Sequence, residues 1–526
     1  MGIYINRGNM DFQRMLNGEY VDKTGLIAVV NRTLLSERQF SCVTRCRRFG
    51  KSMAAKMLCA YYDDSCDSRS LFSGLDAEKD ASFEKHLNKY PVLYVDMTAF
   101  ITRYKNDDNI VNHIDSEVRA DVQKAFPDVP SEEEDDLMAL LLRVVEQKGK
   151  PFFFIIDEWD AICREFKPGT KGMDSYVNWL RRMFKDVSAN TAFAGVYMTG
   201  ILPIKKYKTQ SALNNFQEYS MASPGRMARF FGFTKDEVRV LAEKYDMDFA
   251  ELEKWYDGYQ IGPELSMFNP NSVMAAIDND YCNSYWGRTG TADAIAGYIS
   301  MNYEGLKDDI IFMLAGGRCK VNPAGFSNDL SEVYNRDDVL TVLIHLGYLS
   351  YDRRTMECYI PNLEVSYEME LAVRSNNWKG VVTALQASEK LLQATLDGDE
   401  EAVARGIDAA HDENTSILSY NDENSLACVL SIAYYAAKNN YIVHRELASG
   451  KGFADIVLIP RKNVDSPAVV VELKFKKDVD TAIDQIKRKQ YPQKVAEYTG
   501  NILLVGINYD KDTKQHTCQI ERWEKD

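Results

Sequence analysis

Two short stretches of this sequence bring together residue types suited to phosphate chemistry. Near the C-terminus the apolar run Val469-Val470-Val471 passes into Glu472-Leu473-Lys474. Residues two apart in a strand face the same side, so Glu472 and Lys474 project together. A neighbouring run, Ile456-Val457-Leu458-Ile459, is opened by Asp455, which meets them if the two strands pair. Two carboxylates are hard oxygen ligands for Mg²⁺, which lowers the pKa of a bound water and balances charge during phosphodiester hydrolysis. Asp455 and Glu472 are the candidate ligands, and Lys474 would orient or activate the water. A Glu-x-Lys on an apolar strand is costly unless used or paired. A plain ion pair reaching solvent at a strand end satisfies the same pattern. Glu446 is a further acid nearby. Gln485, with Tyr491 after it, is placed either to contact the scissile phosphate or metal-bound water or simply to cover a helix surface. Lys474, Lys476, Lys477, Lys487, Arg488, Lys489 and Lys494 make a local positive excess able to hold a phosphate backbone, or a solvated helix face.

The second stretch is Arg45-Cys46-Arg47-Arg48-Phe49-Gly50-Lys51-Ser52, where a strand passes into a helix. Helix N-terminal amides and their dipole favour phosphate there. Lys51 would reach the β- and γ-phosphates and Ser52 would hold Mg²⁺. The usual P-loop opens with Gly five residues before Gly50, and Arg45 stands at that position. A second element supports the reading: the apolar run 151–156 ends in Asp157-Glu158. Asp157 would join the Mg²⁺ shell and Glu158 would polarise the attacking water; a buried strand ending in a solvated acidic turn is the plainer alternative. Thr199, at the end of the next apolar strand, is either a polar sensor of the γ-phosphate or a turn cap before Gly200. The nucleotide-contacting set is thus Arg48, Phe49, Gly50, Lys51, Ser52, Asp157 and Thr199.

The elements that must position these residues follow from periodicity. Strands are expected at 40–44, 91–97, 152–156 and 191–198, with helices at 51–62, 109–125 and 136–147 between them. Such alternation implies a parallel sheet covered on both faces. Residues from 225 to about 420 read mainly as helices, including 235–245, 249–256, 337–346 and 377–396. From about 421 the pattern becomes a helix (425–438), strands at 441–447, 454–460 and 468–474, a charged helix (479–498), a strand (501–508) and an edge strand (515–523). The expected domains are 1–224, 225–420 and 421–526, since 526 residues exceed one core.

The chain is 45% apolar with a net charge of −15, which excludes a surface coated in basic charge but not a local basic patch. Ten cysteines without a CxxC, beside six histidines, argue against a structural zinc site and suit a reducing compartment. With no secretory h-region and no apolar run of membrane length, the cytoplasm is the expected address, with no membrane partner.

With both constellations in place, the chain resembles a prokaryotic family that joins an AAA-ATPase-like domain to a PD-(D/E)xK nuclease-superfamily domain. The resemblance runs nearly end to end. It rests on Tyr20-Val21-Asp22-Lys23-Thr24, Arg47-Arg48-Phe49-Gly50-Lys51-Ser52, Ile156-Asp157-Glu158-Trp159-Asp160, Thr199-Gly200-Ile201-Leu202-Pro203, Asn214-Asn215-Phe216 and Phe268-Asn269-Pro270. Toward the C-terminus it rests on Glu446-Leu447, Ser449-Gly450-Lys451-Gly452, Ala454-Asp455 and Glu472-Leu473-Lys474. It implies an α/β architecture: a P-loop ATPase domain on a parallel sheet, a helical middle region, and a restriction-endonuclease-like α/β domain. Lys51, Ser52 and Asp157 would serve ATP and Mg²⁺, while Asp455, Glu472 and Lys474 match the nuclease triad. The implied partner is nucleic acid, DNA ahead of RNA, and a homo-oligomer is compatible with the ATPase. The expected function is ATP-controlled, Mg²⁺-dependent phosphodiester hydrolysis. The rival is a nucleotide-dependent switch or nucleic-acid-binding adaptor that does not cut.

Overall fold

The computed structural model describes residues 2–526 except 131, 133–134, 167–168, 205, 208–209, 212, 263–264, 287–296, 299–300, 302, 315, 329, 331, 376–378, 415–429, 431–432, 450–451, 462–463, 476–478, 489–500, 511–512 and 525–526. Within described strands and helices, the side chains at 206–207, 210–211, 308, 373–375, 379–386, 411–414, 438–439, 444–449, 452–455, 475, 479–481, 485, 488 and 524 also lie outside that set. The chain divides into two compact units, residues 1–289 with 320–367, and residues 290–319 with 368–526.

The first unit is built on a parallel sheet. Its strands are β1 (Phe40–Thr44), β2 (Val92–Asp96), β3 (Phe152–Asp157), β4 (Phe193–Gly200) and β5 (Gln217–Tyr219), in the spatial order β2-β3-β4-β1-β5. β4 therefore lies between the strand that leads into Gly50-Lys51 and the strand that ends in Asp157, with Val43 beside Thr199 and Ile156 beside Met198. Strand β5, beside β1, was not among the expected strands. Its three residues, Gln-Glu-Tyr, give no hydrophobic period to detect. The other strands read as continuous apolar runs because both faces are covered. On one face Phe40, Cys42, Phe154, Ile156, Val196 and Met198 pack with helices α2 (Ile110–Ala125), α3 (Leu137–Lys148) and α5 (Lys171–Lys185). On the other, Val43, Tyr94, Phe153, Ile155 and Tyr197 pack with α1 (Lys51–Tyr62). A one-turn helix, α4 (Ala161–Glu165), follows β3 directly. Beyond the sheet come the helices Lys235–Lys244, Phe249–Tyr256 and α6 (Pro270–Asn279), interspersed with two-residue strands at Tyr259–Gln260 and Ser266–Met267.

The second unit holds helices α7 (Lys379–Asp397) and α8 (Glu400–Asn414), then β6 (Tyr441–Ser449), β7 (Gly452–Pro460), β8 (Ala468–Phe475), α9 (Val479–Arg488), β9 (Asn501–Asp510) and β10 (Gln515–Glu524). The strands lie in sequence order; β8 and β9 are parallel, joined through α9, and the other neighbours are antiparallel. This is the expected α/β order, edge strand included. Of the expected helix at 425–438, residues 430 and 433–438 are described and end in a 3-10 helix at Tyr435–Asn439, while the far half of the charged helix falls outside the described residues. Alternation divides the sheet cleanly. Ile456, Leu458, Val469, Val471 and Leu473 pack against Leu391 and Leu392 of α7 and Val403 and Ile407 of α8. Val457, Ile459, Ala468 and Val470 pack against Ile483 and Ile486 of α9. Among the described residues, no helix is long and apolar enough to cross a membrane.

Candidate functional site

The loop after β1 turns into α1 through left-handed residues that the sequence supplies. Arg48 has φ +68°, and Gly50, at φ +84°, is the N-cap of α1. A Cβ on Gly50 would meet nothing within 4 Å, so its conformation and not space calls for glycine. Arg45 explains the missing first glycine. Its guanidinium is fully buried and its Nη1 donates to the carbonyls of Thr44 and Tyr219, each at 2.8 Å, pinning β1 to β5 from inside. Burial pushes its pKa down to about 10. The side chain serves the framework rather than the loop's mouth. Phe49 is likewise buried, packed edge-on to Tyr259 at 4.9 Å, while its carbonyl accepts from the Gly232 amide. Arg48 donates from Nη1 to the Tyr285 carbonyl at 2.7 Å.

The structure brings Lys51, Ser52, Asp157, Glu158 and Thr199 together. Lys51 is buried, with Nζ donating to the carbonyls of Arg45 (3.0 Å) and Cys46 (3.1 Å) and lying 3.5 Å from Glu158 Oε1. Asp157 accepts from the hydroxyls of Tyr94 (3.0 Å), Thr199 and Ser52. Burial holds the Asp157 carboxyl above its ordinary pKa, against the opposing pull of the Thr199 and Ser52 hydrogen bonds. Thr199 is shared: its hydroxyl donates to Asp157 and accepts the Glu158 amide at 3.2 Å. Glu158 sits at φ +52°, and its Oε2 accepts from Arg164 Nη2 at 2.6 Å. Ser52 and Asp157 supply oxygen donors of the kind Mg²⁺ selects, and the buried carboxylate meets hydroxyl donors without a cation among them, so the residues present fit that ion.

These groups stand beside a cleft of about 430 Å³ lined by Gly50, Lys51, Ser52 and Glu158 together with segments far away in sequence. Met15, Tyr20 and Val21 come from before β1, and Phe230, Phe233 and Met274 from beyond β5. This mostly apolar wall was missed as a binding surface. Tyr20-Val21-Asp22-Lys23-Thr24 was legible only as a motif. Asp22 holds that motif in place, accepting from the Thr24 amide (2.8 Å) and hydroxyl (2.6 Å) and from the Asp76 amide (2.7 Å). Lys23 Nζ pairs with Glu237 at 2.7 Å. Phe268-Asn269-Pro270 resolves into a helix start: the Asn269 side chain accepts from the amides of Asn271 and Ser272, and Pro270 occupies the first turn of α6. The signal that could have found the wall is this cap, which aims Asn271 and Met274 at the cleft.

In the second unit Glu472 is 2% exposed and Lys474 Nζ donates to its Oε1 at 2.9 Å. Glu472 and Lys474 share the alternation of Ala468 and Val470, hence the face covered by α9. Gly506, beside Glu472 in the parallel register, lets α9 approach: a Cβ there would lie 3.1 Å from both Ala482 Cβ and Ile483 Cγ1. The antiparallel pairing of β7 with β8 ends at Ile456 opposite Val471, so Asp455 and Glu472 are the next positions outward. Asp455 and Gln485 lie on described strand and helix backbone, but their side chains fall outside the described residues, as does that of Glu446. Lys476, Lys477, Lys489, Tyr491 and Lys494 fall outside them altogether. Among the described residues no three His, Cys, Asp or Glu side chains form a metal-binding group.

Residues 7–209 match the family model described as "Predicted AAA-ATPase", AAA-ATPase-like, and residues 421–519 match that of the PD-(D/E)XK nuclease superfamily. A protein of Azotobacter chroococcum mcd 1, described as the uncharacterized protein in the vnfD 5' region, is 24% identical over 300 residues, 54% of each chain. The chain thus spans about half the length of that curated relative. Among solved structures, the Aeropyrum pernix ORC2 protein in its ADPNP-ADP complexes is 12% identical, with a TM-score of 0.33, covering 70% of this chain and 98% of that one. The Aeropyrum pernix ORC1 protein in complex with DNA is 13% identical, with a TM-score of 0.24, covering 72% and 99%.

Proposed function

From a chain that carries an AAA-ATPase-like domain at residues 7–209 and a PD-(D/E)XK nuclease-superfamily domain at 421–519, we propose an ATP-binding and ATP-hydrolysing protein whose C-terminal module hydrolyses phosphodiester bonds in DNA. The observation that carries the nucleotide half is the convergence of Lys51, Ser52, Asp157 and Thr199 beside the 430 Å³ cleft. Lys51 leaves its two loop carbonyls to bind the β- and γ-phosphates, and the amides at the start of α1 bind them too. Ser52 and Asp157 hold Mg²⁺, which when bound offsets phosphate charge. Glu158 takes the proton of the attacking water, and Thr199 reports the γ-phosphate to Asp157 and Glu158 through its two hydrogen bonds. Tyr20, Val21, Phe233 and Met274 offer apolar contact to the base.

In the second module Asp455 and Glu472 are the metal ligands, Lys474 orients the water, and Gln485 contacts the phosphate. The Lys474–Glu472 pair, with its carboxylate buried, supports this reading, because an ion pair taken out of water gains little stability over an apolar isostere. A non-cleaving switch or adaptor is the second reading, since the same pair also suits a purely structural strand. The test measures Mg²⁺-dependent cleavage of single- and double-stranded DNA, with and without ATP, by wild type and Lys474→Ala. Cleavage lost in a variant that still hydrolyses ATP and keeps its second unit folded supports the nuclease, and an effect of ATP on wild type supports coupling. Absence of cleavage with either DNA favours the switch. Cell-free assembly state, monomer or homo-oligomer, is read by light scattering with and without ATP.

A further inference from the structure

Both carboxylate oxygens of Glu158 are engaged in this structure. Its Oε2 takes a hydrogen bond from Arg164 Nη2 at 2.6 Å, and its Oε1 lies 3.5 Å from Lys51 Nζ. Arg164 is itself held: its Nε donates to Asp160 Oδ2 at 2.9 Å, one turn back on α4, and its side chain is only 11% exposed. Asp160 is fully buried and accepts the amides of Ile201 (3.2 Å) and Leu202 (2.9 Å), just beyond Thr199. The Glu158 amide closes the loop on the Thr199 hydroxyl. Thus one arginine ties the candidate base to the segment that follows the candidate γ-phosphate sensor.

Resting on the ATPase reading above, we propose that Arg164 is a positioning residue that latches Glu158 in a resting state, and that triphosphate binding releases the latch. The sequence of contacts gives the route. Lys51 is drawn from Glu158 and the loop carbonyls to the phosphates, and Thr199 is drawn toward the γ-phosphate. Movement of Thr199 shifts Ile201 and Leu202, hence Asp160, hence the guanidinium that Glu158 shares. Once freed, Glu158 accepts one proton from water as the water oxygen bonds to the γ-phosphorus and the bond to the ADP oxygen breaks. That proton later leaves to bulk solvent, so Glu158 is regenerated. Arg164 touches none of the reacting atoms.

The test compares steady-state ATP hydrolysis by the full chain with that of Arg164→Ala, Arg164→Gln and Arg164→Lys, alongside binding of a fluorescent ATP analogue. Release of the latch raises kcat in Arg164→Ala by roughly 3- to 10-fold while KM changes by less than about two-fold. A merely structural arginine would not raise kcat at a nearly constant KM. Arg164→Gln keeps a hydrogen-bonding group for Asp160 but no charge, so it keeps the question answerable if Arg164→Ala does not fold. Arg164→Lys returns kcat toward the wild-type value. A folded Arg164→Gln with unchanged or lower kcat overturns the latch. Analogue binding separates this from failure of the ATPase reading, which shows as a wild type that neither binds nor hydrolyses ATP. A wild type that binds without hydrolysis supports the latch if Arg164→Gln gains activity, and overturns it if no activity appears.

Discussion

Asp157 and Glu472 hold comparable places in the two units. Each lies toward the C-terminal end of an inner strand of a five-stranded sheet, and each is almost wholly buried, at 3% and 2% exposure. Their surroundings differ in kind. Asp157 is met by hydroxyls from Tyr94, Thr199 and Ser52, while Lys51 sits on Glu158 and the loop carbonyls. Glu472 has its lysine built in at 2.9 Å. A buried carboxylate surrounded by neutral donors has its charge solvated but not balanced, and burial raises its pKa. A cation arriving with the ligand completes such a site. One with its own lysine is balanced before anything binds, so a metal there must share Glu472 with Lys474. The first arrangement suits a site that fills and empties with nucleotide, the second a site that stays assembled.

The largest effect expected from this contrast is on stability. Lys474→Ala removes the cation that lies 2.9 Å from the buried Glu472 carboxylate and destabilises the second unit by up to about 3 kcal/mol, read as a shift in its denaturant midpoint. Thr199→Val removes one neutral donor from Asp157 and leaves the Glu158 amide without its acceptor, at about 1–3 kcal/mol. Adding Glu472→Gln to Lys474→Ala recovers most of the stability without recovering cleavage. Equal losses in the two single variants would erase the distinction between balanced and merely solvated acids.

A smaller effect distinguishes them by pH. The folded Asp157 carboxyl titrates above its ordinary value of 3.8, so the folded state holds its proton more tightly than the unfolded state. Its contribution is therefore fully favourable below the unfolded pKa and is lost as pH rises through the folded one. Without Mg²⁺ and ATP, Asp157→Asn should gain on wild type as pH rises from 3.8 through the raised folded pKa. With Mg²⁺ and ATP the order reverses, since only the carboxylate gains from the cation. An unchanged gap in both conditions would mean that Asp157 does not hold the metal.

How much of this was legible follows from where the determinants lie along the chain. Gly50-Lys51-Ser52 and Asp157 could be read because strand-to-helix transitions and apolar runs are local, and parallel pairing places both at one sheet edge. The β7–β8–α9–β9 order was legible for the same reason. The apolar wall of the cleft was not, because Tyr20 and Phe233 are brought together by packing that no periodicity encodes. Arg45 was readable as a departure but not as a buried pin, since its partner carbonyl at Tyr219 belongs to a strand too short and polar to detect. Arg164 carried a faint signal: it stands four residues after Asp160 and six after Glu158, within reach of both only if a helix begins at once. The partition into two compact units draws on residues 290–319 and 320–367 alternately, which composition does not foreshadow.

The smallest predicted effects come from two glycines that serve the two sites for opposite reasons. Gly50 has open space around its missing Cβ but a φ of +84°, whereas Gly506 lies outside the left-handed region but has a crowded neighbour in α9. Gly50→Ala should cost about 1 kcal/mol in conformation. The loop can escape that cost by turning its amides, so the loss appears chiefly in ATP affinity and barely in thermal stability. Gly506→Ala pushes Ala482 and Ile483 by a few tenths of an ångström, so its cost of about 1 kcal/mol appears in stability. ATP affinity stays unchanged there, and cleavage falls with the displacement of α9 over Glu472 and Lys474. If Gly50→Ala lost stability and kept its affinity for ATP, the amides at the start of α1 would not be phosphate ligands. If Gly506→Ala kept its stability but lost cleavage, the contact of α9 with β9 would matter for aligning the acid and lysine rather than for packing.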